Sequence, residues 1–128
     1  MGVKLTNCWS KRFKVVVVHN QEKWTQTWTK NMSKRGKAKI TAAPHAKDSV
    51  LVEFYPDFER LGMTEFSESD LAFMTKSALD MVFCFGLDVR INGKRPFKTP
   101  LHYLKALSDT PPVVSNTTDW TVALFPNS

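Results

Sequence analysis

The sequence predicts an α+β fold: a mainly antiparallel sheet with one long helix (about 68–85) packed on it, an Asn-Gly hairpin (87–98) and a short second helix (101–108). Three observations carry the prediction. The first half holds short β-branched and aromatic runs broken by turn residues. One capped amphipathic stretch occupies the middle, and Asn92-Gly93 stands between two extended runs.

In chain order, Phe13 to Val18 is β-branched and apolar with one lysine, the composition of a central strand. Trp24 to Thr29 alternates, with Trp24, Gln26 and Trp28 on one face and threonines on the other. Lys30 to Lys37 is a loop by composition, with Gly36 as its pivot and four cations. Lys39 to Ala43 is a weaker strand stopped by Pro44, and Ser49 to Tyr55 a stronger one stopped by Pro56. Ser67 and Asp70 form a capping pair ahead of a stripe of Leu71, Met74, Ala78, Met81, Val82 and Phe85, and Gly86 supplies the left-handed residue that ends the helix. Leu87 to Ile91 and Lys94 to Lys98 flank Asn92-Gly93, whose two residues suit the positive φ of a type I′ turn. Thr99-Pro100 caps a short helix over 101–108 with Leu101, Leu104 and Leu107 inward, and Thr118 to Phe125 is a last strand.

Its 128 residues and 42% hydrophobic content suit a single α+β domain over 1–128 with a packed core. The longest purely apolar run in the first half, Val15 to Val18, is far short of the roughly 20 residues a bilayer span requires. Residues 1–12 lack the apolar core of a secretory signal, so an intracellular protein, cytoplasmic or nuclear and not secreted, is expected. Two cysteines, Cys8 and Cys84, make neither a disulfide framework nor a zinc site, and no cofactor or metal is expected. The Met1-Gly2 to Thr6 segment meets only the loose acylation pattern, so a membrane is not an expected partner.

Charge is segregated along the chain. Residues 1–47 carry eleven Lys or Arg against Glu22 alone, 48–88 carry two against nine acids, and 89–105 carry five with no acid. Such blocks form an electrostatic footprint for a polyanion if folding brings the basic ones together. In the 90–98 hairpin, Arg90 faces Arg95 across the ladder; like charges there repel unless an anion sits between them or Asp88 pairs with them. Tryptophans interleave with the cations, and Trp24 and Trp28 share a face on which bases could stack.

These features predict a small, basic, non-enzymatic nucleic-acid-binding protein. Its contacts come from Lys30, Lys34, Arg35, Lys37 and Lys39, from Arg90, Lys94, Arg95 and Lys98, and from Trp24 and Trp28. Single strands are favoured slightly over duplex, DNA and RNA are not distinguished, and a homodimer is compatible with the edge hairpin. The alternative is an interaction or inhibitor protein that docks its basic face on an acidic protein partner. A metal-dependent nuclease using Asp57 or Glu59 comes third, weakened because Tyr55, not a lysine, stands two residues after Glu53. No helix-turn-helix, RNP or zinc-finger spacing is present, and neither is a Walker A, GxGxxG or GxSxG motif.

Overall fold

The computed structural model describes residues 2–126. It is α+β with antiparallel sheets, as expected, and divides into two compact units, one up to Glu65 and one from Phe66 onward.

The first unit opens with a helix that local sequence signals did not announce, α1 (Gly2–Cys8), which lacks a Ser, Asp or Asn cap and any acid in its first turn. The Ser10 hydroxyl donates to the Thr6 carbonyl and the Trp9 amide to the Leu5 carbonyl, which closes the helix onto the next strand. Four strands follow with register fixed on both sides of the first: β1 (Ser10–His19), β2 (Glu22–Thr29), β3 (Lys34–Arg35) and β4 (Lys39–Ala42). A fifth, β5 (Ser49–Pro56), completes the sheet. All pairings are antiparallel; β1 lies between β2 and β5, and β3 and β4 both pair with β2. The β1–β2 hairpin closes through Asn20-Gln21, with φ of 50° and 63°. This is the positive-φ pair of a type I′ turn, made without the glycine that signals it in sequence.

Cross-strand partners share a face, so the register sorts every side chain of this sheet. Phe13, Val15 and Val17 lie with Trp28, Gln26 and Trp24 and with Phe54, Val52 and Val50 on one face. Phe13 is the buried centre, with the edge of its ring toward Trp28 at a centroid distance of 6.1 Å. The sheet edge at β5 is long and apolar, and Val50 remains 70% and Phe54 42% exposed.

In the second unit α2 spans Glu68–Phe85, the predicted bounds. The Ser67 hydroxyl accepts from the Asp70 amide, the Asp70 carboxylate accepts from the Ser67 amide, and Gly86 ends the helix at φ 63°. The Ser67 hydroxyl and amide hold the Asp70 carboxyl below the usual carboxylate range. The expected inward stripe is corrected: of its members only Val82 is buried, while Leu71, Met74, Met81 and Phe85 are exposed. The short helix is α3 (Pro100–Lys105), capped by Thr99 and ending three residues earlier than predicted. Tyr103 and Leu104 are its buried residues, whereas Leu101 and Leu107 are exposed. The last predicted strand is shorter and has a partner: β6 (Val113–Asn116) pairs with β7 (Thr121–Leu124) around a turn in which the Thr117 amide donates to the Trp120 carbonyl.

The 87–98 hairpin shrinks to its turn. Asn92 and Gly93 have φ of 50° and 77°, and Ile91 and Lys94 exchange both backbone hydrogen bonds at 2.9 and 3.0 Å, but neither flank is a strand. The next hydrogen-bonded pair outward would need an amide N–H from residue 96, and Pro96 has none.

Candidate functional site

The expected contact residues fall into two sets, one in each unit. In the first, Lys30 is exposed in the turn after β2, Lys34 and Arg35 form β3, Lys37 lies in the following loop and Lys39 opens β4. None of the five forms an ion pair with another described residue. The pivot of this loop is not Gly36 but the run Lys30, Asn31 and Met32, with φ of 53°, 55° and 70°. Gly36 serves close approach instead: its amide donates to the Thr27 carbonyl at 2.8 Å, and a Cβ there would stand 3.0 Å from that oxygen. Gln26 Nε2 donates to the Gly36 carbonyl, and Gln26, Arg35, Gly36, Lys37 and Ala38 line an open pocket of about 430 Å³.

Three successive left-handed residues require outside restraint. The Asn31 amide donates to the Ser10 carbonyl at 3.1 Å, and Asn31 Nδ2 donates to Asp57 Oδ2 at 3.0 Å. Asp57, at 8% exposure, is a hub: its own amide donates to the Trp9 carbonyl, Lys11 Nζ stands 3.7 Å from Oδ1, and the Arg60 amide approaches Oδ1 at 3.4 Å. The Arg60 guanidinium lies over the Trp9 ring at 4.5 Å and donates to the Cys8 carbonyl at 3.1 Å. The end of α1, the basic turn and the turn after β5 are thus tied by one carboxylate and one guanidinium. No sequence motif announces this tie, because Asn31 and Asp57 stand 26 residues apart.

The Asn31 amide, the Arg60 amide and the Lys11 and Arg60 charges hold the Asp57 carboxyl below its usual range against the opposing effect of burial. A lowered folded-state pKa contributes stability that is present above the unfolded value and lost as pH falls through the folded one. Asp57→Asn is therefore expected to flatten the acid limb of the stability curve below about pH 4. Urea titrations at pH 3 to 7 read this directly, and an acid limb as steep as in the parent would exclude it.

In the second unit, Arg90 and Arg95 do not confront each other bare. Asp88 lies between them, with Oδ1 2.9 Å from Arg95 Nε and Oδ2 3.5 Å from Arg90 Nη2, so the anion that relieves their repulsion comes from the chain itself. Arg95 also donates to the Lys98 carbonyl at 3.4 Å. Lys94 closes the turn through its backbone, and its side chain forms no ion pair with a described residue.

Trp24 and Trp28 are half-buried and tilted against each other at 6.4 Å, with Phe13 against Trp28, so they build the sheet's apolar face. Beside them an open cleft of about 600 Å³ is lined by Gly2, Val3, Lys4, Asn7, Phe13, Val15, Trp28 and Met32. Asn7 is buried and its Oδ1 has no hydrogen-bond donor among the described residues. The acids offered as a nuclease centre do not form one: among the described residues no three His, Cys, Asp or Glu side chains gather as a metal group needs. Among them, too, no helix is long and apolar enough to cross a membrane. Gly2 opens α1, and Met1 of the acylation pattern lies outside the described residues.

No protein-family model matches the chain. Curated relatives nevertheless do. The chain is 38% identical over 96 residues to DNA topoisomerase 2 of Penicillium chrysogenum, covering 73% of the chain and 6% of the relative. It is 37% identical over 111 residues to that of Invertebrate iridescent virus 6, covering 82% and 10%. With that of Arabidopsis thaliana it shares 32% over 108 residues, covering 80% and 7%. Among solved structures, the ATPase and transducer domains of DNA topoisomerase II from Balamuthia mandrillaris superpose with a TM-score of 0.86 at 31% identity, over 99% of this chain and 35% of theirs. The ATPase region of Saccharomyces cerevisiae topoisomerase II bound to dexrazoxane superposes with a TM-score of 0.82 at 27% identity, over 95% and 35%. The chain thus spans about a tenth or less of these curated relatives and about a third of the solved chains. These findings overturn the expectation of a small non-enzymatic nucleic-acid-binding protein, and with it the inhibitor and nuclease alternatives, because the chain is similar along most of its length to parts of an enzyme.

Proposed function

We propose that this chain is a portion of the ATPase region of a type II DNA topoisomerase and acts within an enzyme that couples ATP hydrolysis to changes in DNA topology. The observation that carries this reading is the superposition on the Balamuthia ATPase and transducer domains at a TM-score of 0.86 over 99% of the chain with 31% identity. The burial pattern supports it independently. The described hydrophobic core comprises only Phe13, Val16, Val82, Tyr103 and Leu104. Meanwhile β5 leaves a long apolar edge uncovered, and the buried Asn7 side-chain Oδ1 has no donor among the described residues. An uncovered apolar edge strand invites further pairing, and a buried polar atom without a partner costs about 1 to 3 kcal/mol. Both features are consistent with surfaces that pack against further elements, as in the longer chains on which this one superposes.

In this reading the partners are DNA and a second copy of the enzyme, the setting is intracellular, and RNA has no supporting observation. Of the cation-rich segment Lys30, Lys34, Arg35, Lys37 and Lys39, DNA backbone contacts come chiefly from Lys34 and Lys39, which lie on a sheet face with other cations. Arg90, Lys94, Arg95 and Lys98 contribute less, because Asp88 already neutralises part of their charge. Trp24 and Trp28 belong to packing more than to base stacking.

The test is a transplant. The matching segment of the Saccharomyces ATPase region is replaced by this chain and ATP hydrolysis is measured on the folded chimera. Activity within about tenfold of the parent is expected. A chimera that folds, dimerises and yet hydrolyses ATP no faster than background overturns the reading.

A further inference from the structure

We infer that the sheet face opposite the tryptophans is a binding surface for the phosphate backbone of duplex DNA; the choice of DNA rests on the topoisomerase reading above. The register puts Arg12, Lys14, Lys23, Lys34 and Lys39 on that one face. Arg12 pairs with Thr29, which pairs with Lys34; Lys14 pairs with Thr27; Val16 pairs with Thr25, which pairs with Lys39; and Val18 pairs with Lys23. Five cations thus flank the three threonines of β2, Thr25, Thr27 and Thr29, on a face that also carries Val16, Val18 and Leu51. Arg12, Lys23, Lys34 and Lys39 are exposed and Lys14 is half-buried.

One acid, Glu53, shares the face, opposite Lys14 in register, and none of the five cations forms an ion pair with a described residue. No two of these cations are direct cross-strand partners, since a threonine or an apolar residue separates them, so the face concentrates positive charge without a direct like-charge pair and offers it to a polyanion. Lysines set among hydroxyl donors are the groups that hold phosphate oxygens without reading bases.

Duplex, not single strand, follows from what the face lacks. Single-strand binding couples cations to aromatic rings on which bases stack. Here Trp24 and Trp28 point to the other side of the sheet. The aromatic residue on the cationic face, Tyr55, lies under the Arg12 guanidinium at 5.9 Å from its ring centroid. The same register removes Arg35 from the set, because it pairs with Trp28 and belongs to the apolar face. Lys30 and Lys37 lie in loops outside it.

Two triple variants of the full chain separate the face from the loop: Lys23→Gln/Lys34→Gln/Lys39→Gln and Lys30→Gln/Arg35→Gln/Lys37→Gln. Each removes three charges from exposed positions, and circular dichroism checks that both fold. Binding to a short labelled DNA duplex is followed by fluorescence anisotropy over a range of salt. With five phosphates engaged, the parent is expected to lose about 500-fold in affinity between 50 and 200 mM salt and the face variant about 12-fold, at roughly 0.9 in log–log slope per phosphate. The loop variant keeps most of the parent's slope. Equal loss in the two variants, an unchanged slope in the face variant, or tighter binding to the same length of single strand each overturns the inference. The chimera's ATP hydrolysis is read separately. A face variant that binds like the parent while the chimera is active removes this surface and leaves the ATPase-region reading intact; an inactive chimera removes the reason for choosing DNA.

Discussion

Phe13→Ala is expected to destabilise the protein by about 3 to 5 kcal/mol, the range for emptying a fully buried aromatic site. Phe13 is 1% exposed, lies at the centre of β1 with paired strands on both sides, and turns its ring edge to Trp28. Its removal leaves a cavity under α1 and takes away the surface against which Trp28, and through it Trp24, is packed. Few other hydrophobic side chains of the first unit are buried, so little neighbouring core can collapse into the space. The measurement is a urea titration followed by tryptophan fluorescence in a Trp120→Phe background, where the remaining indoles of Trp9, Trp24 and Trp28 report the first unit, and by far-ultraviolet circular dichroism, which is weighted by α2. If residues 1–128 unfold as one domain, both signals shift together by the same amount. A shift below about 1 kcal/mol would show that the site is not a packed core position.

Tyr103→Ala is expected to cost a similar amount, and Tyr103→Phe about 1 kcal/mol together with a change in pH dependence. Tyr103 is 4% exposed, packs edge-on against Phe97 at a centroid distance of 5.1 Å, and donates its hydroxyl to Asp80 Oδ1. Lys76 donates to both oxygens of the same carboxylate, at 3.0 and 2.7 Å, so one acid on α2 holds α3 and the preceding turn of its own helix. Burial first, and then the hydrogen bond and charge of Asp80, push the phenol up to about 12 from 10.0. A raised folded-state pKa contributes stability that is complete below the unfolded value and lost as pH rises, here between about pH 10 and 12. Asp80 is shifted the other way, lowered by Lys76 and Tyr103, and its contribution is lost as pH falls below the usual carboxylate range. Tyr103→Phe should therefore remove the alkaline loss in that window while leaving the contribution of Lys76 on the acid side. An alkaline limb identical to the parent's would show that the Tyr103 hydroxyl is not bonded to Asp80.

Much of the fold was legible wherever the signal is short in range. Ser67, Asp70 and Gly86 act within a turn of themselves, which is why α2 runs over its predicted residues. The Asn92-Gly93 turn forms for the same reason, and even its failure to propagate was written locally, in the missing N–H of Pro96. What local reading overlooked were elements held by distant partners. Examples are α1, closed by Ser10 and tied through Cys8 to Arg60; the Asn20-Gln21 turn, without glycine; and the Lys30 to Met32 run, held by Ser10 and Asp57.

The candidate site divides in the same way. That the chain is basic, and basic in blocks, is a property of its sequence alone. Which cations stand side by side depends on strand register, which a one-residue slip would invert. Lys39 and Lys14 lie on one face because β2 pairs with β4 and with β1 in the observed phase, whereas Arg35, one residue from Lys34, is turned to the tryptophans. No short motif among these residues marks the similarity to DNA topoisomerase 2, which is spread over most of the chain in sequence as well as in structure. Composition, caps and turn residues therefore determined the fold class, the bounds of α2 and the sign of the charge. Tertiary structure alone decided that Arg90 and Arg95 share Asp88, that the inward stripe of α2 is mostly exposed, and that five cations and three threonines meet on one sheet face. The physical reason is range: caps and turns are settled within about four residues, whereas burial and charge pairing depend on which strands and loops meet across tens of residues.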